Sequence, residues 1–512
     1  MNLLRTLSTV SALTLLSRIA GLARESLKAF AFGAGVQMDA FEAAFRLPNI
    51  LRRLFAEGAF SQAFVPILAE YQRARGDAAT RDLVGKVGSL MALTLIVVSV
   101  LGIVAAPWLV YVLASGFERT PGKVELTAQL IRIMFPYILF VSLVSLAGGV
   151  LNVHRRFAIP AFTPVLLNVS MIAAAIFVAP HVDPPILALA WGVAAGGVAQ
   201  LALQIWPLAR LHMLPRPSFG WRDEGVRRVI GAMGPAVLGV SAAQISSLIN
   251  TQLAAYLGNG RISWISYADR LMEFPSALLG VALGTILLPS LAKHHHDANH
   301  VQYSELLDWG MRLAFLLALP AALALALLAV PLITTLYQYG RFTITDVWQT
   351  RAALMGYSLG LLGLIAVKIL APGFYARQNM KTPVKIAFLT VLFAQTLAVI
   401  LMFQIGHAGL TLATSLGACF NATLLYISMR RAGHYVPRPG WTAFLVKVIA
   451  ALVVLGVVLW VAPGEDAFWI HAGLWAKVGR LSWVLAAGVV SYFAALWLMG
   501  FRLRDFNRHE PS

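Results

Sequence analysis

Apolar stretches of about twenty residues recur from residue 8 to residue 499, too long for barrel strands and long enough for helices that cross a bilayer. This recurrence constrains the fold more than any motif. In hydrocarbon a backbone must satisfy its own hydrogen bonds, and a helix does so within one segment. Hydropathy windows predict fourteen helices, at approximately 8–31, 37–69, 84–113, 127–152, 159–179, 185–209, 227–256, 262–291, 305–337, 349–375, 383–403, 408–429, 441–461 and 477–499. Only 12% of the 512 residues are charged, about half the share in soluble domains. The expected class is an all-α polytopic membrane protein. The first segment is not read as a cleavable signal, because Arg18 and Arg24 interrupt it and no A-x-A-like site follows a short apolar region. A single cysteine, Cys419, precludes intramolecular disulfides and reads as an inert core thiol.

The net charge of +18 sorts by loop. One set, 70–82, 153–157, 210–228, 292–300, 376–385, 430–440 and the tail 501–510, holds 21 Lys and Arg when Arg5 is included. The alternating set is nearly bare, with Arg119, Lys123, Arg261 and Arg341 as its main cations. The positive-inside rule then places both termini in the cytoplasm and requires an even number of spans. Much of the charge is topology signal and attraction to the lipid surface, so a nucleic-acid partner is not inferred.

The chain also repeats itself. A G-x-G loop leads, one gap apart, to Arg46-Leu47 in 32-FGAGVQMDAFEAAFRLP-48 and to Arg270-Leu271 in 257-LGNGRISWISYADRLME-273. Pro66 and Pro289, in 65-VPILAE-70 and 288-LPSLAK-293, are 223 residues apart, as are Pro160 and Pro383. Six spans separate the copies, so both enter from the same side. Such parallel repeats place a binding site between the halves near the midplane. The expected organisation is an N-terminal lobe at 1–215, a parallel-related C-terminal lobe at 216–436, and a helix pair with a cytoplasmic tail at 437–512.

Charges inside the apolar segments are the candidate site. The second helix carries Asp39, Glu42, Arg46, Asn49 and Arg53 in steps of three and four, which make one polar stripe. The eighth carries Ser263, Ser266, Arg270 and Glu273 in the same steps. Both stripes are expected to face a shared central cavity. Spacing favours Arg53 over Arg52 for the stripe unless Pro48 changes the phase. On the first helix Arg18 shares a face with Glu25, and Arg24 with Lys28. Arg18 and Arg24 lie about 9 Å apart along the axis and about 120° around it, so a bend at Gly21 would help one cavity take both. The competing explanation is structural pairing, Arg18 with Glu25 and Arg270 with Glu273. Against it, arginine predominates over lysine, and its rigid fork suits phosphate or pyrophosphate.

No Walker A run, H-E-x-x-H pair or paired cysteine ligands occur, and 294-HHH-296 reads as a solvated loop rather than a metal site. A non-catalytic transporter fits better than an enzyme such as a polyprenyl-linked glycosyltransferase. In helices 13 and 14, Trp441, Trp460, Trp469, Trp475 and Trp483 cluster near the ends, as interface belts do. These helices extend only one lobe and could form a sidewall for a long lipid tail.

Three stretches, 45-FRLPNILRRLFAEGAFSQAFVPILAEY-71, 265-ISYADRLMEFPSALLGVALGTILLPSLAK-293 and 368-KILAPGFYARQNMKTPVK-385, resemble the MurJ (MviN) lipid II flippases, within the multidrug/oligosaccharidyl-lipid/polysaccharide exporter superfamily. The resemblance spans essentially the whole chain. It implies two six-helix lobes and a C-terminal pair lining a groove for the polyprenyl chain. It implies alternating-access transfer of lipid II, the undecaprenyl-pyrophosphate-linked peptidoglycan precursor, from the cytoplasmic to the periplasmic leaflet of the bacterial inner membrane. The implied partners are lipid II, membrane phospholipid and the proteins of peptidoglycan synthesis. No cofactor is implied, and the energy source stays open between membrane potential and a monovalent cation. The family's cavity arginines match Arg18, Arg24, Arg52 and Arg270, so the resemblance favours Arg52 where periodicity favoured Arg53. Asp39, Glu273, Arg46 and Ser263 complete the expected substrate-binding set. The alternative is a cation-coupled drug exporter on the same superfamily fold, which would favour acidic residues facing the cavity.

Overall fold

Helices form over most of the apolar windows; some windows split, as before Pro136 and at Gly360, whereas Pro66, Pro207, Pro320 and Pro372 lie inside single helices. The computed structural model describes residues 3–53, 59–296 and 299–502, so positions 54–58 of the expected second helix and the tail from 503 lie outside the described residues. The first unit contains α1 (Leu3–Phe32), α2 (Val36–Leu51), α3 (Ala59–Val104), α4 (Ala106–Ala114), α5 (Lys123–Met134), α6 (Tyr137–Val153), α7 (Ala158–Ala173), α8 (Leu187–Arg210) and α9 (Glu224–Tyr256). Next come α10 (Arg261–His296), α11 (His300–Leu327), α12 (Ala329–Leu336), α13 (Ile344–Ser358) and α14 (Leu361–Ala376). The chain continues through α15 (Lys381–Ile405), α16 (His407–Arg431), α17 (Trp441–Val461), α18 (Asp466–His471) and α19 (Leu474–Leu498). No strand occurs among the described residues, and nine of their helices are long and apolar enough to cross a membrane. The bent pair α13 and α14, at 40°, makes a tenth. The protein is an all-α membrane protein.

Two compact units divide the chain, residues 1–263 and 264–512. In the first, α3 runs through residues 70–82, read above as a loop, and turns only at Gly76, whose φ of 74° suits a residue without Cβ. Phe60, Phe64, Leu68 and Leu83 of α3 pack on Leu146, Val150 and Leu151 of α6 and Val226 and Val229 of α9. Asp223 caps α9 by accepting from the amides of Gly225 and Val226, and it binds Lys86 of α3 at 2.8 Å. The Lys86 ammonium holds the Asp223 carboxyl below its ordinary range. Its stabilising contribution is in place above about pH 4 and is lost as pH falls through the depressed value. Arg228 of α9 forks onto Glu70 of α3 at 2.9 and 2.7 Å.

In the second unit, Gly360 and Gly363 let the α13–α14 bend sit against α16, where an added Cβ would meet Ser415 at 2.5 Å and Cys419 at 2.6 Å. Small residues give close approach where the bilayer supplies no hydrophobic drive. The α17–α19 pair packs Phe444, Val448, Leu455, Val484 and Tyr492 on Leu316 and Leu328 of α11 and its end. One buried carboxylate fastens this pair. Asp308 of α11 accepts from Trp441 Nε1 (2.7 Å), Tyr435 Oη (2.8 Å), Arg312 Nε (2.9 Å) and the Arg438 amide (3.3 Å). Replacing it strands buried donors, each worth about 1–3 kcal/mol. Asp308→Leu is expected to lower the thermal unfolding midpoint of the purified protein clearly, and Asp308→Asn, which keeps one acceptor, by less.

Candidate functional site

The polar stripe on α2 does not face one way. Asp39 is completely buried and receives four donors: Lys123 Nζ at 3.0 Å, the Gly260 amide at 2.6 Å, and the Ser263 amide and hydroxyl at 2.9 and 2.6 Å. The 257-LGNG-260 loop builds this socket. Gly258 and Gly260 take φ of 113° and 84°, which turns the Gly260 amide and the first turn of α10 onto the carboxylate. An anion at a helix N-terminus is doubly favoured, by the unpaired amides and by the dipole. Lys123 also donates to Asn259 Oδ1 at 2.8 Å and lies 4.0 Å over the Phe117 ring. The expectation that Asp39 and Ser263 bind substrate therefore meets a carboxylate with both oxygens occupied and closed to solvent. Lys123, read above as a loop cation, is its buried counterion.

One turn along α2, Glu42 accepts from Lys28 Nζ at 2.5 Å, and Lys28 also donates to Glu25 Oε2 at 2.9 Å. Glu25 Oε1 is taken by Arg24, whose Nε and Nη2 lie at 3.1 and 2.5 Å. The structural pairing considered for Arg18 with Glu25 is thus replaced by Arg24–Glu25–Lys28–Glu42. Asn168 of α7 orients Arg24 through Nη1 at 2.9 Å and is itself fixed by donating to the Ser17 carbonyl at 3.1 Å. Gly21 lies over Asn168, and α1 is continuous from Leu3 to Phe32 with no break at that glycine. Nothing in the sequence marked Asn168.

Further along, residues 52 and 53 adopt a π-helical turn after Pro48. That turn shifts the phase of the stripe. Arg52 is half-buried and donates to Asn49 Oδ1 from Nε and Nη2 at 3.2 and 2.8 Å, whereas Arg53 is exposed. Arg46 has a buried Nε with no hydrogen-bond partner among the described residues. Arg18 is exposed and has no polar partner among the described residues. In the second unit, Arg270 Nη1 pairs with Glu273 one turn on, at 2.8 Å, and both side chains stay partly open, at 30% and 46% exposure. Structure and sequence agree on that local pair, which the spacing anticipated. No group of His, Cys, Asp and Glu able to hold a metal ion occurs among the described residues. An apolar groove of about 230 Å³ lies between α11, α17 and α19, lined by Leu317, Pro320, Ala324, Leu459, Val489 and Phe493.

Comparison with known proteins fits this architecture. The family described as Lipid II flippase MurJ matches residues 28–474. A Burkholderia cenocepacia protein named Lipid II flippase MurJ is 52% identical over 513 residues, covering 99% of each chain. A Haemophilus influenzae protein named Probable lipid II flippase MurJ is 40% identical, covering 96% of this chain and 98% of its own. A solved structure titled as the inward closed conformation of Lipid II flippase MurJ superposes with a TM-score of 0.80 at 21% identity, over 98% of this chain and 99% of that one. An inward-facing multidrug MATE transporter superposes at 0.63 with 14% identity, over 83% and 95%, a likeness of fold alone.

The Asp39–Lys123 pair is expected to be strongly coupled. Asp39→Ala and Lys123→Met should each cost about 3–5 kcal/mol, because each strands a buried charge, while the double variant should cost clearly less than their sum. Thermal unfolding of the four purified proteins checks this, and strict additivity would contradict it.

Proposed function

The chain belongs to the MurJ lipid II flippase family, and on that premise we propose how it carries lipid II across the bacterial cytoplasmic membrane. It is a transporter and not an enzyme. Arg18, Arg24, Arg52 and Arg270 grip the pyrophosphate of the head group, with Arg46 adding positive charge beside them. The observation that carries this reading is Arg18: a guanidinium inside an apolar helix, exposed and without a counterion among the described residues. A charge so placed costs at least a few kcal/mol in hydrocarbon, so its position is accounted for by water and an anionic ligand rather than by lipid tails. Arg24, Arg52 and Arg270 support the reading because each is held by a local partner it can exchange for phosphate: Glu25, Asn49 and Glu273. Glu273 returns to Arg270 when the site empties.

The lobes work as parallel halves of a duplicated chain, with both termini in the cytoplasm and the polyprenyl tail in the groove beside α17 and α19. Ser263 and Asp39 act on the cycle by holding the first turn of α10 in the resting state. Once anion neutralises the arginines, the closing state is favoured, as required of any ligand that shifts a conformational equilibrium. Membrane potential returns the empty, positive site at about 2.3 kcal/mol per charge per 100 mV. Lipid II, membrane phospholipid and the proteins of peptidoglycan synthesis are its partners.

Losing a charge-assisted bond to phosphate is worth about 1.5–3 kcal/mol, or roughly 10–150-fold in affinity. Arg18→Ala, Arg24→Ala and Arg270→Ala are each expected to lower lipid II flipping into proteoliposomes by at least that lower bound. Full flipping by both Arg24→Ala and Arg270→Ala would sink the arginine site.

A further inference from the structure

The Arg24–Glu25 pair raises a difficulty for any anion that is to bind Arg24. Glu25 is 2% exposed. Pulling Arg24 from it toward a phosphate would strand a buried carboxylate, and an uncompensated buried charge costs several kcal/mol. The chain contains a solution on the same helix face. Lys28, one turn further along α1, holds the other oxygen of Glu25, Oε2, at 2.9 Å, leaving Oε1 to Arg24. The two cations do not compete for one atom. Lys28 is itself 4% exposed and is balanced by Glu42 of α2, so the row alternates in sign: Arg24, Glu25, Lys28, Glu42. It carries no net charge when complete.

We propose that Lys28 is a positioning residue for substrate binding: by holding Glu25 Oε2, it keeps Glu25 compensated while Arg24 turns from Oε1 to an incoming pyrophosphate. This rests on the reading of Arg24 as a pyrophosphate ligand. Asn168 guides the turn. It holds Arg24 Nη1, while Nε and Nη2, the two donors on Glu25, are the ones to be exchanged. Glu42 holds Lys28 in place across the gap between α1 and α2, and the Phe41 ring lies 5.4 Å from the ammonium. Without Lys28, Glu25 would bind Arg24 more tightly and withhold it from substrate, although Arg24 itself is intact.

This predicts a rescue that a merely structural bridge would not give. In binding measurements on the purified full chain in nanodiscs, with lipid II as the probe and undecaprenol as the neutral control, Lys28→Met should weaken lipid II binding about tenfold, the worth of one charge-assisted bond. Undecaprenol binding should not change. Adding Glu25→Gln to Lys28→Met removes the charge that withholds Arg24, and lipid II binding should recover toward the unmodified level. If Lys28→Met does not accumulate, Lys28→Met/Glu42→Leu removes both ends of the α1–α2 bridge together and carries the same expectation, including rescue by Glu25→Gln. Unchanged lipid II binding by Lys28→Met, or a triple or double variant no better than its parent, would overturn the role of Lys28. Unchanged binding by Arg24→Ala, run alongside, would instead overturn the reading of Arg24 on which it rests.

Discussion

Charge in hydrocarbon is the constraint on which the rest of this structure depends. A bilayer offers no water to an ion, so a charge placed there must be paired within the protein or must face a wet or liganded surface. Sealed and exposed charges both occur across α1, α2 and α5. Asp39 and Lys123 are sealed, 0% and 1% exposed, with a glycine loop and a helix N-terminus supplying the remaining donors. Arg18, on the neighbouring α1, is exposed without a partner among the described residues, and Arg270 pairs with Glu273 at 2.8 Å with both side chains partly open. The sealed pairs fix the positions of helices.

The same economy organises the attachment of the last helix pair. Van der Waals packing between apolar helices is weakly directional in lipid, so a polar contact must specify where α17 lies. Asp308 does this by gathering the indole of Trp441, the hydroxyl of Tyr435 and the guanidinium of Arg312 at one point. The tryptophan that looked like an interface anchor in the sequence is also a hydrogen-bond donor to a buried carboxylate. Once α17 is pinned there, the apolar face it shares with α19 closes on α11 and leaves an apolar groove of about 230 Å³ between the three helices.

Helix positions were legible because hydrocarbon selects on a composition that any window can measure. For α17, the expected 441–461 is the observed range. Breaks were less legible, since Gly76 bends a continuous helix where charge had suggested a loop, and the π-helical turn after Pro48 moved Arg52 and Arg53 out of the simple 3.6-residue count. The candidate arginines stand out one by one, as charges in apolar runs. Their partners do not. Asp39 and Ser263 are 224 positions apart, and Arg24 and Asn168 are 144 apart, separations that periodicity cannot bridge. The partner of Lys123 was hidden for the same reason: a lysine after Pro121-Gly122 gives no sign of Asp39 until the fold brings the two together.

Residue choice then divides by task. The sealed cations are lysines: Lys28, Lys123 and Lys477, each at most 4% exposed. A lysine is a compact point charge: Lys28 and Lys123 meet carboxylate oxygens, and Lys477 meets the Gln338 side-chain oxygen and the Thr334 carbonyl. The candidate ligands are arginines. A guanidinium stays protonated in any environment the transport cycle offers, so an empty site cannot quietly neutralise itself. Its positive charge persists until an anion arrives, which makes the energetic difference between empty and loaded states large. That difference is what a carrier requires, because a ligand shifts a conformational equilibrium only by as much as it prefers one state over the other. Lysine at Arg24 would retain charge at neutral pH but lose the fork that holds Glu25 and Asn168 at once, and with it the ability to exchange one partner while keeping the other.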